Sequence, residues 1–370
     1  MTAAPLPAIE PVGDNPAKLW GLTAAERLLR IAAAQGLRTN GGDARILANL
    51  AFVFDPAWLG WVAARPGHAV TRDGVPVLAH CRGAATAAEV RRAMAEERPA
   101  LPSLGLILVA QESFGALHDT QLRKREQPFI ERLTEGSARA AERTSYYASY
   151  KGVTDLLTKY LWPEWALRLT RLAAQLGVSP NAVTLAGAAL CIAAGLAFYR
   201  GWYWPGMAAA LAFMVLDTVD GKLARCTITS SRLGDALDHG IDHVHPPLWW
   251  WAWGVGLHAY GRPLAPDIFL ATMVMAIGGY FVQRLIEGLF ILGFGIQIHV
   301  WEKLDSRFRL ITARRNPNMV ILFVALVLGY PDLGLVALGV WTMISCVFHL
   351  VRLAQARFGR SGRRVESWLE

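Results

Sequence analysis

The chain has 370 residues, 54% of them hydrophobic and 18% charged, and its mean hydropathy of +0.29 excludes an ordinary soluble protein along its whole length. A formal charge of +8 admits nucleic acid, an anionic membrane surface or an anionic substrate. Position decides: Arg307, Arg309, Arg314 and Arg315, and Arg357, Arg360, Arg363 and Arg364, flank apolar spans, as cytoplasmic membrane loops do, so no nucleic-acid partner is expected.

In chain order, residues 1–18 have no basic stretch followed by an apolar core, so a signal peptide is not expected and the first part should stay in the cytoplasm. Residues 1–145 read as a small cytoplasmic α/β domain. Helical spacing covers 24–35, a strand pattern 46–54, and strands at 69–71 and 75–79 flank the turn signal Asp73-Gly74. A helix at 87–96 and a buried strand at 104–110 follow. Residues 146–177 mix Tyr147, Tyr150, Lys151, Lys159, Tyr160, Trp162, Trp165, Arg168 and Arg171 with leucines, which suits an amphipathic helix at the headgroup level. Cys81, Cys191, Cys226 and Cys346 form no CxxC pair, so buried thiols are expected instead of disulfides or a zinc knuckle.

Residues 178–370 hold six apolar spans, near 182–199, 202–224, 236–259, 267–293, 317–331 and 333–351. The fold expected is therefore an α-helical polytopic membrane protein with six transmembrane helices behind the α/β domain. Loops 257–266 and 330–333 are poor in Lys and Arg, whereas 303–315 and the tail are rich in them, which puts both termini in the cytoplasm.

The second and third spans contain Asp217, Asp220, Arg225, Asp235, Asp238 and Asp242. One carboxylate in hydrocarbon costs roughly 2.5–3.5 kcal/mol, so the group needs cations or a polar cavity. Asp217 and Asp220, three apart, share one helix face, as do Asp238 and Asp242, four apart. The two faces can meet across the short connection. An all-oxygen donor set favours Mg²⁺, Mn²⁺ or Ca²⁺ over Zn²⁺, and with an Arg alongside it suits metal-bridged phosphates. Gly221, Ala224 and Gly234 allow close approach of a ligand or helix.

Written out, Asp217-x-x-Asp220-Gly221-x-x-Ala224-Arg225-(x)8-Gly234-x-x-x-Asp238-x-x-x-Asp242 resembles the signature of the CDP-alcohol phosphotransferase family at every defined position. The resemblance extends over 150–352 and includes Pro180-Asn181-Ala-Val-Thr184. It implies a dimeric membrane transferase in which an alcohol attacks the β-phosphorus of a CDP-alcohol and CMP leaves, in phospholipid or related head-group synthesis. By the same resemblance Asp217, Asp220, Asp238 and Asp242 hold two divalent ions, Mg²⁺ or Mn²⁺, and Asp242 is general base. Gly221, Ala224, Arg225 and Gly234, with Asn181 and Thr184, hold the CDP part. The donor is CDP-diacylglycerol or a smaller CDP-alcohol, and the acceptor an alcohol, a polyol phosphate or a lipid hydroxyl. Arg284 and Arg309 are candidates for an acceptor phosphate. Location in the inner membrane is implied.

Gly21-Leu-Thr-Ala-Ala-Glu-Arg-Leu-Leu-Arg30, Ala34-Gln-Gly36 and Ala51-Phe-Val-Phe-Asp-Pro-Ala-Trp58 resemble the sugar-nucleotide pyrophosphorylase type of nucleotidyltransferase. That family places a Gly-rich phosphate loop before the helix, and the chain begins almost at the helix, which implies a degenerate domain serving assembly or regulation.

Other features have plainer readings. His239 and His243 have i, i+4 spacing, but aspartates dominate their face, so packing roles are expected. Arg284 and Glu287 are a mutual ion pair as readily as a binding feature. Trp249, Trp250, Trp251 and Trp253 read as an interfacial aromatic belt. The competing function is a non-enzymatic divalent-cation carrier, which leaves the positions of Gly221, Ala224, Arg225 and Gly234 unexplained.

Overall fold

The computed structural model describes residues 7–39, 44–99, 105–359 and 364–370, leaving aside the side chains of residues 44, 232, 233 and 235–239. Leu104, Arg360, Arg363 and the side chains of Asp235, Asp238 and His239 thus lie outside the described residues.

The N-terminal part is an α/β layer. Strands β1 (Ala8–Val12), β2 (Lys18–Leu19) and β3 (Leu22–Thr23) precede helix α1 (Ala24–Ala34). Thr23 starts α1 with a capping box: its hydroxyl accepts from Glu26 N at 3.2 Å, and Glu26 Oε2 accepts from Thr23 N at 2.8 Å. Next come β4 (Ala44–Asn49), β5 (Phe52–Phe54), α2 (Pro56–Ala63), β6 (His68–Arg72), β7 (Val75–His80), α3 (Ala84–Ala95) and β8 (Ile107–Ala110). The main sheet has the order β1-β4-β7-β6-β8, parallel at its two outer pairings and antiparallel within. Asp73 and Gly74, at φ +51° and +80°, make the β6–β7 turn as the sequence suggests.

The single strand expected over 46–54 is broken in two. Asn49 Oδ1 accepts from Ala51 N at 3.0 Å, an Asx turn that ends β4. The chain then re-forms as β5, which pairs with β11 (Ile130–Arg132), after the small hairpin of β9 (Leu117–Asp119) and β10 (Lys124–Glu126).

Helix α4 (Ala138–Ala148), a π-helical turn at Leu157–Leu161 and α5 (Pro163–Gln175) lead into the helical part. On this segment Tyr160, Leu161, Trp165, Leu172 and Leu176 are exposed, while Ala166, Leu167 and Ala173 are buried. Six further helical stretches follow: α6 (Pro180–Tyr199), α7 (Tyr203–Cys226), α8 (Arg232–Tyr260), then α9 (Pro266–Met273) joined through a π-helical turn to α10 (Gly279–Phe294), and, beyond the short α11 (Lys303–Phe308), α12 (Arg315–Val327) and α13 (Pro331–Phe358). Among the described residues Pro180–Tyr199, Pro266–Phe294 and Pro331–Phe358 are long and apolar enough to cross a membrane, and Arg315–Val327 is a shorter apolar helix. The protein is thus a helical membrane protein with an N-terminal α/β region.

Two cores organise it. One joins Leu28, Ile31, Phe54 and Trp58 of the α/β layer to Ala166 and Leu167 of α5 and Val219, Leu223 and Cys226 of α7, so the two parts share apolar packing. The other fills the helical bundle around Phe198, Tyr203, Met214 and Leu322. Three of the four tryptophans expected in an interfacial belt belong to this core. Trp249, Trp250 and Trp253 are buried and only Trp251 is exposed. Trp249 and Trp253 donate to the carbonyls of Cys191 and Pro331 at 3.0 and 3.1 Å, which satisfies their indole N–H groups inside the bundle. All four cysteines are free and buried.

Candidate functional site

The acidic motif lies where α7 and α8 meet. After α7 the chain turns through Ile228, at φ +54°, and Ser231 restarts the helix by accepting from Gly234 N at 3.0 Å. Both helices pack against α6, and Asp217 and Asp242 reach a common partner. One guanidinium joins them: Arg315, at the start of α12, donates to Asp217 Oδ2 at 2.6 Å and Asp242 Oδ1 at 2.7 Å. The Arg315 and Asp217 side chains are 13% and 15% exposed, whereas Asp242 is 40% exposed. Asp242 is thus the carboxylate that opens outward.

Asp220 is buried one turn further along α7. Its Oδ2 accepts from Thr184 Oγ1 of α6 at 2.7 Å, and its Oδ1 accepts from Gly221 N at 2.6 Å. The structure therefore puts the Thr184 hydroxyl against a motif carboxylate, where it fixes the rotamer. Asn181 lies against Gly234: a Cβ there would lie 2.9 Å from Asn181 Oδ1 and 3.1 Å from Ser231 Oγ, so glycine leaves room for both side chains as they stand. Gly221 faces the Arg225 guanidinium, which a Cβ would meet at 3.2 Å. Ala224 and Arg225 line a cleft of about 480 Å³ whose opposite wall is the α/β layer.

A second cavity, of about 120 Å³, contains Asp242 together with Arg284, Arg309, Arg314 and Arg315. The two residues proposed for an acceptor phosphate thus share a cavity with the outward carboxylate. Arg309 is buried, and its Nε and Nη1 have no hydrogen-bond partner among the described residues. Nearby Asp155 is pushed up by burial, yet the Arg309 charge and hydrogen bonds from Thr158 and Asn316 hold it below the usual carboxylate range. Arg284 forms the expected pair with Glu287 at 3.0 Å, but Glu287 is shared with Arg314 at 2.6 Å.

Three ligand types bear on a metal. Asp217, Asp220 and Asp242 offer carboxylate oxygens only, which fits a hard divalent cation, and the guanidinium between two of them stands where positive charge is wanted. Glu287, His299 and His349 also cluster, with ligand atoms within 4.8 Å of one another. Arg314 Nη2 already lies 2.6 Å from both Glu287 oxygens and 3.0 Å from His299 Nε2, so that group is matched to a guanidinium. His245 is buried, with Nδ1 2.6 Å from Ile241 O.

Sequence reasoning assigned Arg315 to topology and missed its place in the site. It begins a helix whose N-terminus disfavours cations, and that misplaced charge was the available signal.

A family model for CDP-alcohol phosphatidyltransferases matches residues 177–351. Phosphatidylinositol phosphate synthase of Streptomyces avermitilis is 42% identical over 93 residues, 24% of this chain and 38% of that protein. Cholinephosphotransferase 1 of Gallus gallus is 37% identical over 101 residues, 24% of this chain and 30% of that one. The alignments thus span well under two thirds of these relatives' own length. A crystal structure of Mycobacterium tuberculosis phosphatidylinositol phosphate synthase with CDP-DAG bound aligns with 55% of this chain and 100% of that chain, at 19% identity and a TM-score of 0.40.

Proposed function

We propose, from the premise that residues 177–351 form a CDP-alcohol phosphatidyltransferase domain, that the protein transfers a phospho-alcohol or phosphatidyl group from a CDP-alcohol to an acceptor hydroxyl with release of CMP. The observation that carries this reading is the single Arg315 guanidinium held between Asp217 of α7 and Asp242 of α8, with Asp220 oriented beside them by Thr184. Carboxylates from two helices would then be available to divalent ions that bridge a diphosphate.

Asp217, Asp220, Asp238 and Asp242 are the residues that would hold two divalent ions, Mg²⁺ or Mn²⁺, which when bound neutralise charge on the diphosphate and on departing CMP. Asp242, more exposed than Asp217 and opening into the cavity of Arg284 and Arg309, accepts the proton of the acceptor hydroxyl. Arg309 brings an unsatisfied buried guanidinium to that cavity, and with Arg284 it orients an anionic acceptor such as a polyol phosphate. Gly221, Ala224, Arg225 and Gly234, backed by Asn181 and Thr184, form the CDP side. CDP-diacylglycerol is the donor we favour, because the chain is 42% identical over 93 residues to a phosphatidylinositol phosphate synthase.

In this reading the six helical stretches α6, α7, α8, 266–294, α12 and α13 all cross the inner membrane, both termini are cytoplasmic, and residues 1–145 are a degenerate nucleotidyltransferase-like domain docked on the cytoplasmic side through 146–177. The basic residues of 303–315 and the tail support that orientation, and a reporter fused after Tyr330 is expected on the far side. A homodimer is part of the reading on family resemblance, and light scattering of the detergent-solubilised protein tests it.

The functional test is Mn²⁺-dependent release of CMP from CDP-diacylglycerol in proteoliposomes. Release that vanishes in Asp238→Asn is the expected result. Mn²⁺ flux without CMP would replace the enzyme by a cation carrier.

A further inference from the structure

The α/β layer does not simply sit beside the helical part. Its helix α1 donates two arginines to the end of α7: Arg27 Nη1 to Cys226 O at 2.8 Å and Arg30 Nη1 to Thr227 O at 2.9 Å. These carbonyls terminate the helix that carries the acidic motif, so guanidiniums from a separate layer satisfy them and favour its negative end. Arg27 is only 4% exposed.

Between the two parts lies the cleft of about 480 Å³, within the roughly 300–1,000 Å³ of small-molecule sites. One wall is the α7 end, with Ala224, Arg225 and Cys226. The other comes from the α/β layer, including Arg27, Asp55, Asp119 and Gln121. Arg27 Nε is buried and has no hydrogen-bond partner among the described residues. Asp119 uses Oδ1 to accept from Leu122 N at 2.8 Å, which leaves its other oxygen for a ligand. Along α7, Arg225 is five residues beyond Asp220, or about 7.5 Å at helical rise. That is close to the reach of a ribose and its 5′ phosphate from a diphosphate held at the carboxylates.

We propose that the N-terminal α/β layer is the base-recognition wall of the donor site: the cytosine and ribose of a cytidine diphosphate enter the cleft between Ala224–Arg225 and the wall formed by Asp119, Gln121 and Arg27. The inference rests on the donor reading above. Its chemistry suits a cytosine, whose exocyclic amino group donates to a carboxylate or amide oxygen and whose ring nitrogen and carbonyl accept from a cation or amide N–H. The layer then has a role that needs no phosphate loop of its own, since the diphosphate is held by the other part.

The test places a thiol on the wall of the full-length protein. The four native cysteines are buried, so Gln121→Cys gives a maleimide a single accessible target, Leu117→Cys gives a second position on the same wall should the first fail to fold, and Glu89→Cys on α3 is the remote control. With Mn²⁺ present, CDP is expected to slow modification of Gln121→Cys at least fivefold, pyrophosphate to leave it unchanged, and Glu89→Cys to react alike in both. Equal labelling with and without CDP, in a preparation that releases CMP from CDP-diacylglycerol, would overturn the proposal, as would protection by pyrophosphate alone. A wild-type protein that neither binds CDP nor releases CMP would overturn the donor reading and this inference with it.

Discussion

Thr184→Val separates the orientation of Asp220 from its presence. The wild-type hydroxyl donates to the buried Asp220 carboxylate at 2.7 Å, and valine keeps the branched shape while removing the donor. A hydrogen bond to a charged group contributes about 1.5–3 kcal/mol. At about 1.4 kcal/mol per factor of ten, the variant should bind the activating ion roughly 10- to 100-fold more weakly, the range typical for loss of a group that orients a metal ligand. Because Asp220 itself remains, CMP release at saturating Mn²⁺ should change little. The assay is a Mn²⁺ titration of CMP release from CDP-diacylglycerol, with Thr184→Ser as the control that restores the donor. An unchanged half-saturating Mn²⁺ concentration in Thr184→Val would refute the argument that this hydroxyl positions a metal ligand.

Three further expectations follow from the same contacts. Arg315→Gln removes the cation between Asp217 and Asp242, which for a buried pair costs about 3–5 kcal/mol; the metal-free protein should melt lower, Mn²⁺ should raise its melting temperature more than that of wild type, and an equal Mn²⁺ response would show that ion and guanidinium do not compete. Arg27→Met withdraws a buried donor from Cys226 O, a loss of about 1.5–3 kcal/mol, and limited proteolysis should cut 227–231 faster; an unchanged rate would mean that α1 does not clamp the α7 end. Asp155 is held below its ordinary pKa, so its contribution to stability is present above about pH 4 and is lost as pH falls through the folded value; Asp155→Asn should flatten the acid limb of the melting profile, and parallel profiles would contradict this.

Much of this was legible in the sequence because the signals are local. Asp73-Gly74 dictates its turn by backbone conformation, and helical spacing over 24–35 matches α1. Asp217 and Asp242 of the motif share the Arg315 guanidinium, whereas Asp220 turns to Thr184 of α6. Misreadings arose where distant groups decide the outcome. Arg315 is 98 residues from Asp217 and 73 from Asp242, so no local pattern announces the bridge. Trp249, Trp250 and Trp253 lie in a helix apolar on most sides, where composition does not distinguish lipid from a neighbouring helix; carbonyls of Cys191 and Pro331 decide it. The split of 46–54 turns on one Asn49 side chain. Strand β1 was overlooked because it contains Pro11, which is tolerated since β1 lies at the edge of the sheet.

Electron paramagnetic resonance of Mn²⁺ bound to the full-length protein asks most directly whether the aspartates of α7 and α8 form one metal centre. Two ions per chain are expected, spin-coupled at the roughly 3.5–4 Å of two-metal sites, with the coupling abolished in Asp217→Asn and in Asp242→Asn. Uncoupled ions that persist in both variants but are lost in His349→Ala would place the metal at Glu287, His299 and His349 and contradict the account.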